Sequence, residues 1–132
     1  MQMIEIRADA VEVDVSGTEE ELREIGFTIV ALTRSAERSV VLPALDIDPS
    51  PYPRALTGMI VERSTGKTFI SVAGSELTVR GSDSSLVAFA SWFDFPPGAH
   101  DGYHQHFEPQ EDDHDHSSES APLIISVHRA GA

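Results

Sequence analysis

The chain repeats one pattern of apolar residues, turns and helix starts at an offset of 64 positions. Residues 6–29 moved forward by that offset fall on residues 70–93, and because the chain has 132 residues the repeat divides it almost evenly. The matched positions include Ile6 with Ile70, Glu12 with Glu76, Val15 with Val79, Gly17 with Gly81 and Leu22 with Leu86. Such self-similarity indicates a duplicated structural unit. We expect a first unit over residues 1–65 and a second over residues 66–132, together forming one compact fold.

Each unit is predicted to have the order β-β-α-β-β. In the first unit, alternating apolar residues over 4–8 and 11–15 predict a hairpin. Thr18 and Glu21 then have the spacing of a capping box at a helix start. The helix that follows has an apolar face at Leu22, Ile25, Ile29 and Leu32, matched in the second unit by Leu86, Phe89 and Phe93. Short turns between successive strands favour antiparallel pairing, so the predicted class is α+β, an antiparallel sheet with two helices packed on it.

The second half of each unit supplies two further predicted strands. They cover residues 39–47 and 56–62 in the first unit, and residues 103–107 and 123–128 in the second. The sequences Ile47-Asp48-Pro49 and Phe107-Glu108-Pro109 have the same pattern and are expected to be equivalent strand ends.

Composition and charge exclude several classes of protein. The chain has no cysteine, which excludes disulfides, thiolate metal sites and a cysteine nucleophile. It also has no apolar run near the roughly 20 residues that span a bilayer, and its N-terminus lacks a signal-peptide pattern. We therefore expect a cytoplasmic protein. The net charge of −13 repels nucleic acid and anionic membranes and favours a basic protein as partner.

All six histidines lie between positions 100 and 128, and the first unit has none. His104 and His106 alternate with Tyr103 and Phe107, so we expect the aromatic rings to face the core and the imidazoles to face solvent. By the same alternation His128 faces outward on the last strand. If the two strands pair, His104, His106 and His128 share one sheet face, where three imidazoles could hold zinc or another divalent ion. Solvated histidines on an exposed face, or a protein-binding surface, are the alternatives.

The polar run 108–120 holds six acidic residues and no lysine or arginine. Its composition predicts a flexible, solvated loop, with attraction of a basic partner or weak cation binding as alternatives. The chain contains no Gly-x-Ser-x-Gly elbow, no phosphate-binding glycine loop and no His-Glu-x-x-His helix. We therefore expect a protein without enzymatic activity.

A motif in the second unit resembles a known family. The stretch Tyr103-His104-Gln105-His106-Phe107-Glu108-Pro109, followed after a polar loop by Ser120-Ala121-Pro122-Leu123-Ile124-Ile125, resembles the immunity protein 32 family of bacterial polymorphic toxin systems. The resemblance covers residues 68–129. It implies a short α+β protein that neutralises a cognate toxin, with His104, His106 and Glu108 as the positions carried over. The first unit departs from the motif, since Leu45-Asp46-Ile47-Asp48-Pro49 stands where it should lie.

These observations give three hypotheses for the function. The first is a protein-binding module, an immunity protein whose partner-binding residues are Tyr103, His104, His106 and Glu108. The alternative is a divalent-metal-binding protein that uses His104, His106 and His128. The third is a small structural module that forms a homodimer. The first hypothesis requires no cofactor, and in all three the first unit is expected to be mainly scaffold.

Overall fold

A computed structural model describes residues 4–95 and 102–128, which form two α-helices, one 3-10 helix and nine strands. The first repeat contains β1 (Glu5–Ala8), β2 (Val13–Gly17), α1 (Glu19–Thr33), β3 (Ser39–Pro43), β4 (Arg54–Ala55) and β5 (Gly58–Arg63). The second contains β6 (Phe69–Ala73), β7 (Glu76–Gly81), α2 (Asp83–Ala90), the 3-10 helix (Ser91–Phe93), β8 (His104–Phe107) and β9 (Leu123–Val127). The predicted α+β class and the repeated β-β-α-β-β arrangement are confirmed, with the two-residue β4 as an addition.

The two repeats exchange strands between two sheets. One sheet has the order β4-β1-β2-β9-β8, and the other has the order β3-β5-β7-β6. The hairpin of each repeat therefore pairs with the last two long strands of the other repeat. Neighbours within a repeat are antiparallel, whereas β2 with β9 and β5 with β7 are parallel. The prediction of one antiparallel sheet is therefore wrong in this respect: there are two sheets, and both are mixed, because the strands at each central junction are not joined by a short turn.

The strand pairing between repeats is equivalent in the two sheets, and the same residue positions lie opposite each other in both. Val15 of β2 lies opposite Ile125 of β9, and Val79 of β7 lies opposite Val61 of β5. These two pairs are related by the same 64-residue offset that the sequence shows. The offset therefore relates the two sheets as well as the two hairpins.

The register of β3 and β8 corrects one predicted equivalence. Phe107 lies opposite Leu123, and Leu42 lies opposite Met59, which is the equivalent of Leu123. The counterpart of the motif around Phe107 is therefore the strand that ends at Pro43. The predicted match between residues 47–49 and 107–109 is wrong, because residues 47–49 lie after β3 in the irregular segment before β4.

Both helices begin at a capping side chain. The Thr18 hydroxyl accepts a hydrogen bond from the Glu21 N–H at 3.1 Å, and the Glu21 carboxylate accepts from the Thr18 N–H at 2.8 Å, which confirms the capping box. Ser82 caps α2 by accepting from the Ser85 N–H at 3.3 Å. No helix in the described part of the chain is long and apolar enough to cross a membrane.

The two repeats share one hydrophobic core. The predicted helix-face residues of α1 and α2 are buried, and Phe93 is buried in the 3-10 helix. They form a single cluster with the inward side chains of both sheets, among them Ile6, Ile70, Leu123 and Ile125. The helices pack closely, since a Cβ added at Gly26 of α1 would lie 3.0 Å from the Ala90 carbonyl oxygen of α2. Both sheets and both helices therefore contribute to one core.

Candidate functional site

The histidine-bearing strand β8 lies at one edge of the five-stranded sheet. His104 and His106 are exposed, while Tyr103 and Phe107 are partly buried and pack against the core. Phe107 stacks on Trp92 with ring centroids 4.2 Å apart, and Tyr103 meets Phe95 edge to face at 5.5 Å. The predicted orientation of this strand is therefore confirmed.

Within the described part of the chain, backbone groups on the outer side of β8 have no hydrogen-bond partner. The Val127 N–H donates to the Tyr103 carbonyl at 2.7 Å, and Gln105 lies opposite Ile125. Hydrogen-bonded pairs alternate with non-bonded pairs along an antiparallel ladder. The N–H and C=O groups of Gln105 therefore point to β9, whereas those of His104 and His106 point away from it, toward the open edge of the sheet.

The imidazoles of β8 form a pair rather than a three-ligand site. The His104 and His106 ring centroids are 5.3 Å apart, and His104 Nδ1 lies 3.0 Å from the Gly102 carbonyl oxygen. His128 follows β9 and donates its backbone N–H to the Gly17 carbonyl at 2.9 Å. Over residues 4–95 and 102–128, no group of three or more His, Asp or Glu side chains is placed to hold a metal ion. In this part of the chain, His128 is thus not grouped with His104 and His106 as a set of metal ligands.

Side chains of the first repeat lie on the same sheet face as these histidines. Because β1 and β2 belong to this sheet, Arg7 and Asp14 face outward as a cross-strand pair. The Ser126 hydroxyl on β9 donates to Asp14 Oδ2 at 3.3 Å, and it lies directly opposite His104 on β8. Arg7 also forms an ion pair with Glu5, at 3.2 Å. Arg7 and Asp14 belong to the first repeat, which the sequence predicted to be mainly scaffold.

Asp14 is a partly buried carboxylate whose charge is incompletely compensated. Burial raises its pKa above the ordinary value, although the hydrogen bond from Ser126 and the charge of Arg7 act in the opposite direction. Asp14 Oδ1, Arg7 Nε and the hydroxyl of Ser16 are buried without a hydrogen-bond partner among the residues that the structure describes. Such groups are destabilising unless another molecule satisfies them.

The equivalent face of the other sheet has no such feature. The counterparts of Arg7 and Asp14 are Ser71 and Thr78, whose hydroxyls hydrogen-bond to each other at 2.8 Å. The counterpart of Ser16 is Arg80, which is exposed. The sequence alone shows that the two repeats differ at these three positions. It does not show that Arg7, Asp14 and Ser16 lie in the same sheet as His104 and His106, because that requires knowing that β1 and β2 share a sheet with β8.

The polar run 108–120, called the acidic segment from here on, is hydrogen-bonded to the edge of β6. The Thr68 N–H donates to the Asp115 carbonyl at 2.7 Å, and the Ser117 N–H donates to the Thr68 carbonyl at 2.8 Å. Further along, the Ser120 hydroxyl accepts from the Ile70 N–H at 3.0 Å. The predicted flexible loop is therefore wrong for this part of the run, because a few residues with buried contacts anchor an otherwise polar segment.

His116 is the main side-chain anchor of the acidic segment. It is 4 % exposed and stacks on Trp92 with ring centroids 4.2 Å apart, so that Trp92 lies between His116 and Phe107. His116 Nδ1 is 3.2 Å from Asp113 Oδ1. Desolvation acts to raise the pKa of Asp113, but hydrogen bonds from the N–H groups of Asp115 and His116 outweigh it and hold the pKa below its ordinary value.

An open acidic groove lies between β8 and this segment. His106 and Phe107 of β8 contribute to its lining, together with the carboxylates of Glu108, Asp112 and Asp113. Neither lysine nor arginine is among its described lining residues. The groove therefore has a negative charge beside the free edge of β8, which suits a cationic group.

The geometry gives no support for nucleophilic catalysis. The Ser126 hydroxyl donates to Asp14, and within residues 4–95 and 102–128 no serine or threonine hydroxyl donates to an imidazole nitrogen. A hydrogen bond from hydroxyl to imidazole is the usual sign of an activated serine nucleophile.

Comparison with known proteins found no match for this chain among models of protein families. No curated protein matches it either. The resemblance to the immunity protein 32 family therefore stays a prediction that depends on the motif residues.

Proposed function

We propose that this protein is a non-enzymatic binding module, an immunity protein that neutralises a cognate toxin through the outer face and free edge of its five-stranded sheet. The observation that carries the proposal is the position of β8. Its two histidines are exposed at an unpaired sheet edge, directly beside an acidic groove. Among the residues that the structure describes, this sheet face has no hydroxyl that donates to an imidazole and no three-ligand metal group. An exposed face of this kind is more typical of protein binding than of catalysis.

Charge supports a basic partner. The chain has 22 acidic residues against nine lysines and arginines, and Glu108, Asp112 and Asp113 concentrate that charge at the groove. Complementary charge accelerates encounter and discriminates between partners more than it adds affinity. A basic toxin made by the same cell is a partner of this kind.

The polar atoms around Asp14 that have no hydrogen-bond partner among the described residues support the same surface. They lie on the face that bears His104, and the equivalent face of the other sheet has paired hydroxyls instead. A partner that donates to Asp14 Oδ1 and accepts from Arg7 Nε would satisfy both groups after a small side-chain movement. Incompletely satisfied groups that a fold retains in one of two equivalent sheets are a mark of function.

The other two hypotheses have less support. The metal-binding alternative is left with the His104–His106 pair, which supplies two ligands where a structural zinc site uses four. A homodimer formed through β8 would bring two acidic grooves together, and like charges at an interface disfavour association.

Gene context and co-expression test the proposal. We expect a toxin gene immediately beside this one, and survival of cells that express the toxin together with this protein. His104→Glu/His106→Glu adds negative charge at the proposed surface, and we expect the double variant to lose protection. The matched control is Ser39→Glu/Val41→Glu, at the equivalent positions of the other sheet, which should still protect. An isolated gene, no protection by the wild type, or equal loss in both variants would contradict the proposal.

A further inference from the structure

We infer that β8 binds its partner by sheet extension: an extended segment of a basic protein adds to the free edge of β8, and its basic side chains lie in the acidic groove. The inference rests on the proposed function, because it specifies how the same surface binds. Addition of a strand uses main-chain hydrogen bonds for affinity and alternate side chains for specificity.

The backbone of β8 supplies the docking groups. His104 and His106 direct their N–H and C=O groups away from β9, and both residues are exposed. Among the described residues, no backbone group forms a hydrogen bond with these outward N–H and C=O groups. Natural edge strands are commonly protected by lysine, proline or a covering segment, and the sequence of β8, His104–Phe107, contains neither lysine nor proline.

The other sheet edges are less available. The edge of β6 is covered, since Thr68 exchanges hydrogen bonds with the acidic segment on both its N–H and its C=O. The strand β4 has only two residues. The edge strand β3 is the equivalent of β8, but it ends in Pro43, which has no N–H to donate. Of the sheet edges in residues 4–95 and 102–128, the edge of β8 therefore combines exposed donors and acceptors with a charged groove.

The negative charge of the groove favours a basic segment as the strand added to β8. Side chains of an added strand alternate between the two sheet faces, so every second one would lie on the groove side, near Phe107 and Glu108. Glu108 and Asp112 are exposed there and carry no ion pair with the residues that the structure describes. Lysine or arginine at alternate positions of the added strand would pair with these carboxylates. A second copy of this chain would instead place acidic residues against acidic residues.

A short peptide tests the inference without the toxin. The probe is acetyl-Lys-Val-Lys-Val-Lys-Val-amide, and its effect is measured by NMR on the backbone amides of His104 and His106. We expect saturable chemical-shift changes and at least about tenfold slower hydrogen exchange at both amides. The same peptide with glutamate in place of lysine, or with alternate amide nitrogens methylated, should have no effect. Absence of any change at these amides, or an equal response to the control peptides, overturns the inference.

A proline substitution tests the same point in the protein. His106→Pro removes an N–H that faces away from β9, so the sheet keeps its internal hydrogen bonds, and proline is tolerated on edge strands. We expect this variant to lose the peptide response. Val41→Pro makes the same change at the equivalent position of β3 and should keep it. A folded His106→Pro variant that retains the response overturns the inference.

The outcomes separate this inference from the proposed function. If cells are protected from the toxin but neither the peptide nor the proline substitution has its expected effect, the immunity role stands and sheet extension is wrong. If the peptide binds at β8 as expected but no toxin is neutralised, sheet extension stands and the immunity role is wrong.

Discussion

The stacking of His116 on Trp92 gives a quantitative test of how the acidic segment is held. His116→Ala removes a side chain that is 4 % exposed and stacked at 4.2 Å on Trp92. It also removes the contact of His116 Nδ1 with Asp113 Oδ1, at 3.2 Å. We expect the segment to lose its main side-chain anchor and the protein to become less stable.

The expected loss of stability is about 2 kcal/mol. Truncation of a buried side chain to alanine typically costs about 2–4 kcal/mol, and the aromatic stack adds about 0.5–1.5 kcal/mol. Against this, His116 Nε2 is buried without a partner among the described residues, and removal of such a group recovers about 1–3 kcal/mol. For a domain of 132 residues, 2 kcal/mol lowers Tm by roughly 7 °C.

The assay is thermal unfolding together with tryptophan emission. Trp92 is the only tryptophan in the chain, so its emission reports directly on this stack and should move to longer wavelength when one ring face is opened to water. His114→Ala is the control, because His114 lies in the same segment and is exposed, and it should change stability by less than about 0.5 kcal/mol. If His116→Ala matches this control in Tm and emission, the segment is not anchored through the stack and the reasoning is refuted.

Two further predictions concern the repeat and the polar sheet face. A Cβ at Gly81 would lie 2.8 Å from the Thr68 Cα, whereas at the equivalent Gly17 the nearest atom is Glu21 Oε1 of the capping box, at 3.2 Å, which would have to move by only a few tenths of an ångström. Gly81→Ala should therefore cost about 1–3 kcal/mol in urea unfolding and Gly17→Ala under about 1 kcal/mol; equal costs would contradict this. Because burial raises the pKa of Asp14, its ionised form is disfavoured by folding and its contribution to stability falls as pH rises through that pKa. Asp14→Asn should raise Tm at pH 7 but not below the ordinary pKa of 3.8; a pH-independent difference, or a lower Tm at pH 7, would contradict this.

Local structure was predictable from the sequence because the signals are themselves local. The capping box at Thr18 and Glu21 and the apolar face of α1 depend on residues within a few turns of one another, and both are observed. The exposure of His104 and His106 followed from the alternation of side chains along a strand. These features need no knowledge of which strand lies next to which.

Strand exchange was not predictable, because the duplicated strands are nearly interchangeable. Val15 of β2 needs an apolar neighbour, and either Val61 of β5 or Ile125 of β9 provides one at an equivalent position. Pairing is set by contacts far apart in sequence and by how connections cross the sheets, which the residues of β2 do not encode. The position of Arg7 and Asp14 in the same sheet as His104 was missed for this reason.

The structure of the acidic segment could not be predicted from its amino-acid composition. Averaged over residues 108–120, the run is highly charged and typical of solvated loops. Its order depends on His116 and Ser120, which are buried, and on hydrogen bonds to the edge of β6. Two anchoring side chains change the structure of the segment without changing its average composition much.

The proposed binding surface is tested most directly by hydrogen exchange of this protein with and without the toxin that we expect a neighbouring gene to encode. We predict slower exchange at the amides of β8 and around Asp112 in the complex. A contrasting apolar groove lies between α1 and α2, where Phe27 is 62 % and Val87 is 43 % exposed. Protection confined to β8 and the acidic groove is the result that our account predicts. Protection around Phe27 and Val87, with β8 unchanged, would contradict the claim that the five-stranded sheet is the binding surface.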